Sequence, residues 1–237
     1  MTPHPAAFNA KLIRAIADLL TDLIDPTAFA PPDGRGALAL LDPFVGSGRV
    51  AELKTYLPNL TFYGTEIENP WAADARSAGI GVACADALSL PFPDHSIDLV
   101  VTSPTFGCRM ADHHDARDGS PRHTYRHTLG RPLHPRNSGA MQWGPEYRAF
   151  HRAAWQEVHR VMRSDPAQDA FLVLDIKDHI RKGQRQHVTL WHLATICSLG
   201  FDLICTENVL SPGQRHGAHR DLRMKYHTLA VFKKLDI

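Results

Sequence analysis

Short apolar segments recur along this chain with room for a helix between most of them, and this alternation limits the possible folds more than any other feature. The segments have the lengths of buried strands and lie at residues 37–42, 60–66, 80–86, 97–103, 170–176, 201–210 and 226–234. Stretches with helical spacing of apolar residues lie at 8–23, 47–57, 70–78, 146–163 and 187–199. The alternation predicts an α/β protein with a mostly parallel sheet that is covered by helices on both faces.

Two segments interrupt this alternation. Residues 107–145 are rich in Gly, Pro, Arg and His and lack apolar periodicity, and residues 211–225 separate the last two apolar segments. An irregular segment as long as the first is usually functional or disordered. The 237 residues suffice for one full hydrophobic core. We therefore predict a single domain over 1–237, in which 107–145 is an insert and a candidate target-recognition region.

The first candidate site is the segment LDPFVGSGRV at residues 41–50. The predicted strand ends at Asp42, and a turn with Gly46 and Gly48 leads into the next helix. Glycines allow a ligand to approach the backbone closely, and a helix amino terminus offers unpaired N–H groups. Open parallel sheets bind ligands at the carboxyl ends of their strands, where this turn is expected. Two glycines here are also compatible with a purely geometric role in a sharp turn.

Acidic residues end the next two predicted strands. Glu66 follows the glycines by about 20 residues, a spacing at which a carboxylate accepts hydrogen bonds from the hydroxyls of a ribose. Asp86 ends the following strand, where it is suited to meet an adenine amino group. Each residue alone is compatible with a solvated strand end or a helix cap. Together with Asp42 they mark three consecutive strand ends, which indicates a cofactor that contains adenosine.

The fourth predicted strand ends in TSPTFG at residues 102–107. This segment and DPFVGSG resemble the catalytic and cofactor-binding motifs of the DNA amino-methyltransferases, which methylate cytosine-N4 or adenine-N6 with S-adenosylmethionine. PHPAAF at residues 3–8 is similar to the HPAxF-type segment of that family. The motifs occur in the order HPAxF-type segment, glycine loop and TSPTF, which is one of the circularly permuted orders of that family. The resemblance extends through EYRAFHRAAWQEVHRVMR, FLVLDI and HTLAVFKK, so it covers nearly the whole chain.

The resemblance implies both a fold and a cofactor. The fold is that of the class I methyltransferases, a Rossmann-like, doubly wound and mostly parallel seven-stranded sheet with an antiparallel last strand and a leading helix. The cofactor is S-adenosylmethionine. The residues implied to bind it are His4, Pro5, Phe8, Asp42, Pro43, Phe44, Gly46, Ser47, Gly48, Glu66, Ile67, Asp86, Ala87 and Ser103.

The resemblance also implies catalytic residues. Ser103 and the carbonyl of Pro104 would hydrogen-bond the target amino group, and Phe106 would stack on the extruded base. The family usually has a second proline where this chain has Thr105, and threonine is expected to loosen that turn. Serine at the first position favours cytosine-N4. The implied activity is therefore that of a site-specific DNA-methyltransferase, of the kind found in restriction–modification systems, which transfers the methyl group directly to a flipped base.

The formal net charge of +1 hides an uneven distribution of charge. Residues 1–100 sum to −6, whereas the remainder sums to +7 and holds 13 of the 15 histidines. Such an asymmetry favours a phosphate-bearing partner, although chance clustering on a solvated surface is also compatible with it. Arginine forks suit phosphate oxygens. The candidate nucleic-acid contacts are Arg109, Arg122, Arg126, Arg131, Arg136, Arg181, Lys182, Arg215 and Arg220.

Three alternatives to a self-sufficient DNA enzyme stay open. The sequence favours DNA over RNA as the partner, but an RNA base amino-methyltransferase acting on guanine-N2 or a similar position fits the same motifs. A catalytically weak nucleic-acid module that retains the cofactor site is the second alternative, because Thr105 departs from the motif. The third is a partner protein that supplies sequence specificity, because no separate recognition domain is evident.

Other classes of function are not favoured by the sequence. Cys108 follows Gly107 and not a proline, so the covalent cytosine-C5 mechanism, which uses a thiolate after proline, is not expected. The four cysteines are scattered, which indicates neither a disulfide framework nor a cysteine metal site and fits a reducing cytoplasm. We expect no metal. No apolar run approaches the ~18 to 20 residues that cross a bilayer, so no membrane partner is expected.

Overall fold

Seven of nine short strands form one sheet in the computed structural model, which describes residues 4, 8–24, 37–112, 115, 123–165, 168–211 and 220–235. The strands are β1 Leu38–Asp42, β2 Leu60–Thr65, β3 Gly81–Ala83, β4 Leu99–Thr102, β5 Phe171–Ile176, β6 His179–Arg181, β7 Gln184–Gln186, β8 Phe201–Leu210 and β9 Tyr226–Lys234. The helices are α1 Ala10–Leu23, α2 Asn69–Ser77, α3 Tyr125–Leu129, α4 Pro145–Val161 and α5 Val188–Cys197.

The strand order of the large sheet is β3-β2-β1-β4-β5-β9-β8. Strands β1 to β5 pair in parallel, and β9 runs antiparallel to both of its neighbours, β5 and β8. The prediction of a mostly parallel sheet with an antiparallel last strand is therefore confirmed. The chain proceeds outward from β1 to β3 and then returns to place β4 on the other side of β1. Ligands of doubly wound sheets bind at such a reversal, outside the carboxyl ends of the strands.

Helices cover both faces of the sheet. Neighbouring strand residues point to opposite faces, and apolar side chains on each face pack against helices. Val101 packs with α1 and α2 on one face, whereas Val100 packs with α4 and α5 on the other. Helix α1 begins after Asn9, whose side chain accepts hydrogen bonds from the N–H groups of Lys11 and Leu12. Within the described residues, no helix combines the length and the apolar character that a membrane span requires.

The structure changes three details of the expected elements. The stretch predicted as a helix at 47–57 is a 3-10 helix, Arg49–Thr55. Strand β3 ends at Ala83, so Asp86 lies in the turn beyond the strand and not at its end. The β6–β7 hairpin was not anticipated, because its segment HIRKGQRQ is short and polar and gives no periodic signal. These differences do not affect the strand order of the sheet or the reversal that places β2 and β4 on opposite sides of β1.

Candidate active site

A cleft of about 780 Å³, a volume that includes open solvent, lies beyond the carboxyl ends of β1, β2 and β4. It brings together residues from four separate parts of the chain: the amino terminus, the loops after these strands, the insert and α4. The predicted cofactor residues that line it are His4, Phe8, Asp42, Pro43, Phe44, Gly46, Ser47, Glu66, Ile67, Asp86, Ala87 and Ser103. Pro5 lies outside the described residues, and Gly48 does not line the cleft.

The two glycines of the first loop have different local roles. Gly46 has a φ of +52°, and a Cβ atom there would lie 3.0 Å from the ring of His4. Gly48 has a φ of +87°, and its Cβ atom would lie 2.7 Å from the Cα atom of Ala75 in α2. Both conformations favour glycine. Gly46 thus shapes the cleft directly, whereas Gly48 permits the close packing of α2 behind it.

Asp42 is buried at the end of β1, where its Oδ1 accepts hydrogen bonds from the hydroxyl of Thr102 at 2.6 Å and the N–H of Phe44 at 3.0 Å. Burial raises the pKa of Asp42 to about 7, and the two hydrogen bonds oppose this rise. The contact with Thr102 joins the ends of β1 and β4. Asp42 therefore holds the glycine loop beside the loop that carries Ser103.

Glu66 follows β2 directly and is partly buried in the cleft. Its Oε1 accepts a hydrogen bond from the N–H of Glu68 at 2.8 Å. Burial, together with the nearby Glu68 carboxylate, raises the pKa of Glu66 to about 7. Hydrogen bonds from the backbone N–H groups of Glu68, Ile67 and Gly46 lower it. A ligand that donates hydrogen bonds to Glu66 would favour the ionised form.

Asp86 lies on the opposite side of the glycine loop from Ser103. Its Oδ1 accepts a hydrogen bond from the N–H of Leu88 at 3.0 Å. Its Oδ2 lies 3.1 Å from Nη1 of Arg136, which forms an ion pair with it, yet this oxygen accepts no hydrogen bond from the described residues. The side chain of Arg136 is 66% exposed, whereas that of Asp86 is 6% exposed. Oδ2 is thus buried with an ion-pair partner but without a hydrogen bond from the described residues.

The amino-terminal segment closes the other wall of the cleft. The ring of His4 makes an edge contact with Trp71 at 4.5 Å between centroids and lies 5.7 Å from Tyr125 of α3. Phe8 is buried just before α1 and lines the cleft with His4. The two residues lie beside the glycine loop because the strand-end turn and the amino terminus meet at the same edge of the sheet.

Ser103 forms a network that the sequence did not reveal. Its hydroxyl donates a hydrogen bond to Oδ2 of Asp175, at 3.0 Å, and Nδ1 of His227 lies 2.8 Å from Oδ1 of the same carboxylate. Asp175 is buried near the end of β5, and His227 lies on β9. The FLVLDI segment, which ends β5, was the one signal that could have identified Asp175, because its acidic residue interrupts an otherwise apolar strand.

The remaining residues of the catalytic motif lie at the edge of the cleft. Pro104 is buried, and Phe106 is partly buried with its ring 5.9 Å from that of His227. Thr105 lines the cleft instead of them. Its hydroxyl donates to Ser138, either to the carbonyl at 3.2 Å or to Oγ at 3.1 Å, and its own carbonyl accepts from Tyr147. Both the hydroxyl and the carbonyl of Thr105 are thus hydrogen-bonded. The loosening of this turn by threonine stays a prediction.

Glu68 anchors the insert over the cofactor side of the cleft. It is 1% exposed and accepts hydrogen bonds from Nη2 of Arg131 at 2.7 Å, the N–H of His134 at 2.6 Å and Nδ2 of Asn137 at 3.0 Å. Asn137 and its neighbour Ser138 line the cleft. Sequence reasoning missed Glu68 because an acidic residue before a helix gives no indication of partners so distant in the chain.

Of the predicted nucleic-acid contacts that the structure describes, Arg136 lines the cleft. Arg131 and Arg136 are exposed and form the ion pairs with Glu68 and Asp86. Arg126 lies on α3 and is partly buried. Arg181 donates a hydrogen bond to Gln142 at 3.0 Å, and Lys182 is exposed at the turn of the β6–β7 hairpin with a φ of +50°. Arg122 and Arg215 lie outside the described residues, as do the side chains of Arg109 and Arg220.

The described histidines do not gather into a metal site. His127 pairs with Asp115 through Nε2 at 2.9 Å and with Thr124 through Nδ1 at 2.7 Å. Across the parts of the chain that the structure describes, no group of three or more His, Cys, Asp or Glu side chains is arranged to hold a metal ion.

Comparisons with known proteins agree with the fold. Residues 41–118 match a family model described as a methyltransferase domain. Among solved structures, TrmN from Thermus thermophilus shares 18% identity and a TM-score of 0.54 over 98% of this chain and 52% of its own. A SAM-dependent methyltransferase from Methanosarcina mazei shares 14% identity and a TM-score of 0.52 over 83% and 92%. A search of curated protein sequences finds no match.

A third neighbour was solved with its ligand. Magnesium protoporphyrin IX methyltransferase from Synechocystis, solved with S-adenosylmethionine bound, shares 13% identity and a TM-score of 0.50 over 97% of this chain and 86% of its own. The chain spans about half the length of TrmN and most of the length of the other two. This protein has the Rossmann-like fold of the class I methyltransferases, as expected. The matched domain and these neighbours support S-adenosylmethionine as the cofactor.

Proposed function

We propose that this protein is an S-adenosylmethionine-dependent methyltransferase that acts on an exocyclic amino group of a nucleobase. DNA is the favoured polymer and cytosine-N4 the favoured amine. The observation that carries the proposal is the Ser103 hydroxyl, which lines the cofactor cleft while its hydrogen is donated to Asp175. A hydroxyl held in this way presents its lone pairs to a donor, and an amino group is such a donor.

The cleft suits the adenosine and methionine parts of the cofactor. Glu66 would accept hydrogen bonds from the ribose hydroxyls. Oδ2 of Asp86, which accepts no hydrogen bond from the described residues, would accept one from the adenine amino group. The loop around Gly46 would accommodate the methionine part next to His4 and Phe8. When bound, S-adenosylmethionine supplies a methyl group on a positively charged sulfur, which keeps the electron pair of the broken bond.

The catalytic loop supplies what the amine lacks. The lone pair of an exocyclic amine is delocalised into the base, so the nitrogen becomes nucleophilic only when acceptors hold its hydrogens out of the ring plane. Ser103 Oγ and the carbonyl of Pro104 are the acceptors in this loop. Positioned polar groups of this kind contribute through preorganisation, because they need no rearrangement during the reaction.

A proton must leave the nitrogen when its bond to the methyl carbon forms. Ser103 Oγ would accept this proton while its own hydrogen passes to Oδ2 of Asp175, 3.0 Å away, so that the charge of the product is neutralised. His227 with its proton on Nδ1 would donate to Oδ1 of the same carboxylate and hold it in place. Asp175 is thus proposed as the final proton acceptor within the described residues.

Charge and exposure support a nucleic-acid substrate. The residues from Ser103 onward are basic in sum, and the exposed Lys182 lies on a hairpin that begins four residues after Asp175. Aromatic side chains near the mouth, Phe106 and Trp143, are partly buried and suited to an unpaired base. A flipped base could thus reach Ser103 while the phosphates remain near the basic rim.

The test offers the protein separate pools of duplex DNA, single-stranded DNA, transfer RNA and ribosomal RNA together with methyl-labelled S-adenosylmethionine. Mass spectrometry of the digested polymers identifies the labelled nucleoside. We expect N4-methylcytosine from DNA. A labelled RNA nucleoside would instead support the RNA alternative. Cofactor binding without a labelled nucleoside in any pool would contradict the proposed activity and favour the weak binding module.

A further inference from the structure

Three buried aromatic side chains form a hydrogen-bonded chain that ends on the catalytic loop. Trp155 of α4 contacts His192 of α5 with 3.1 Å between Nε1 and Nδ1, and His192 Nε2 lies 2.8 Å from the hydroxyl oxygen of Tyr147. That hydroxyl lies 2.5 Å from the carbonyl oxygen of Thr105. Trp155, His192 and Tyr147 are each 0% exposed, so water does not compete for these contacts.

The chemistry of the groups fixes the direction of every donor in this chain. An indole N–H only donates, so Nδ1 of His192 must accept from Trp155. The neutral imidazole then carries its proton on Nε2 and donates it to Tyr147. The hydroxyl of Tyr147 keeps one hydrogen, which it donates to the carbonyl of Thr105. Every hydrogen bond is therefore donated in the same direction, from Trp155 on α4 towards the catalytic loop.

The surroundings keep every member of the chain uncharged. Burial lowers the pKa of His192 well below its usual value, and the neighbouring His151 lowers it further. Burial raises the pKa of Tyr147 well above its usual value. The ring of His151 stacks on Tyr147 at 3.9 Å between centroids, and burial lowers the pKa of His151 to about 4. A protonated His192 would have no acceptor for Trp155, so neutrality preserves the chain.

We propose that Trp155, His192 and Tyr147 are positioning residues that replace the missing second proline of the catalytic motif. Proline would restrict the backbone at position 105 through its ring. The chain instead restrains the same residue through its carbonyl, while Ser138 restrains it through its hydroxyl. The acceptors Ser103 Oγ and Pro104 C=O precede this anchor directly. The inference rests on the proposed function, because it assigns the chain to the loop that would hold the amine.

Kinetics of single variants test the chain. Tyr147→Phe removes only the final donor, and we expect kcat for methyl transfer to fall at least tenfold while the dissociation constant of S-adenosylmethionine changes less than twofold. Misplacement of a reacting group by about 1 Å is sufficient for a loss of this size. Tyr63→Phe, which removes a hydroxyl from β2 away from the loop, is the matched control. A kcat within twofold of wild type in Tyr147→Phe would overturn the proposal.

The order of effects separates positioning from stability. Trp155→Phe removes the larger share of buried volume, so it should lower the melting temperature more than Tyr147→Phe does. Its effect on kcat should nevertheless be the smaller one, because Trp155 acts on the loop through two intermediates. If kcat instead falls in proportion to the melting temperature in both variants, Trp155 and Tyr147 have only a structural role.

Rescue provides a sharper test. Thr105→Pro removes the hydroxyl contact with Ser138 but no hydrogen bond from the amide to the described residues. Because the proline ring restricts the same backbone, this substitution should restore at least fivefold of the kcat lost in Tyr147→Phe. If Thr105→Pro does not restore kcat, the hydrogen-bonded side chains do not act in place of a proline.

An activity-independent readout keeps the inference separate from the proposed function. Nitrogen NMR of histidine rings should show His192 as the Nε2–H tautomer at every pH from 5 to 8, with the His192→Gln variant used for assignment. If the His192 ring titrates between pH 5 and 8, the proposed hydrogen-bonded chain is wrong, even if methyl transfer is observed. An absence of transfer to every polymer would contradict the proposed function and leave this readout intact.

Discussion

The glycine loop, residues 43–48, and the catalytic loop, residues 103–106, lie side by side in one cleft but are held by different means. The glycine loop takes its shape from local backbone geometry, with positive φ angles at Gly46 and Gly48. The catalytic loop has no glycine, and contacts from Asp175, Ser138 and Tyr147 hold it. One loop is thus specified by nearby sequence and the other by distant sequence, so the two should respond differently to substitution.

The largest expected effect lies in the catalytic loop. Ser103→Ala removes the proposed acceptor of the amino hydrogen and breaks the link to Asp175. We expect methyl transfer to fall by about 10² to 10³-fold, as it does when other preorganised polar groups are removed. Single-turnover measurements with saturating cofactor report this step. Transfer at the wild-type rate in this variant would remove Ser103 from the mechanism.

The next effect lies in the glycine loop and concerns stability. Gly48→Ala places a Cβ atom 2.7 Å from the Cα atom of Ala75 and requires an L-residue at a φ of +87°. We expect the free energy of unfolding to fall by about 1 to 3 kcal/mol, the usual cost of such backbone strain. Denaturant titration measures it. Gly144→Ala is the matched control, because its Cβ atom would meet nothing closer than 3.8 Å.

An equal loss of stability in Gly48→Ala and Gly144→Ala would count against local geometry as the source of the glycine loop's shape. The comparison between the two loops depends on this result, because loss of a contact to the catalytic loop is expected to lower activity more than stability.

A smaller effect concerns the pH dependence of cofactor binding. Burial raises the pKa of Glu66 to about 7, so this carboxyl is protonated below that pH and ionised above it. Ribose hydroxyls bind the ionised form more strongly, so affinity should increase from pH 6 to pH 8. Glu66→Gln should weaken binding about tenfold at pH 8, in line with hydrogen bonds to charged groups. Calorimetry across this range should also show a smaller increase in affinity with pH for the variant.

The change in cofactor affinity with pH is the most informative result of that experiment. Asp42 also has its pKa raised to about 7, and it remains in the Glu66→Gln variant. A reduced but nonzero slope is therefore expected. An unchanged slope would mean that Glu66 does not titrate when the cofactor binds.

The smallest effect is predicted for Arg136. Its side chain is 66% exposed, so its ion pair with Asp86 contributes little to stability. Arg136→Gln should weaken nucleic-acid binding severalfold and reduce the slope of log affinity against log salt by about 1, as the loss of one phosphate contact does. An unchanged slope would show that Arg136 belongs to the cofactor side of the cleft and not to the nucleic-acid surface.

The contrast between the loops also explains how much the sequence predicts. The alternation of apolar segments predicts the sheet, and the glycines together with Glu66 identify one side of the cleft, because these signals depend on residues close in the chain. Asp175 lies 72 residues from Ser103, Asn137 lies 69 from Glu68, and Tyr147 lies 42 from Thr105. Such contacts arise only from the folded arrangement of α4, β5 and the insert. The sequence alone therefore locates the loop proposed to be catalytic but does not show which residues hold it.

The affinity of S-adenosylmethionine, measured by calorimetry at pH 8 in Ser103→Ala and Glu66→Gln, tests most directly whether the two loops serve different substrates. We expect a dissociation constant within twofold of wild type for Ser103→Ala and about tenfold weaker binding for Glu66→Gln, since a hydrogen bond to a charged group is lost only in the second variant. Equal weakening in both variants, or no binding by the wild-type protein, would contradict separate roles for the two loops.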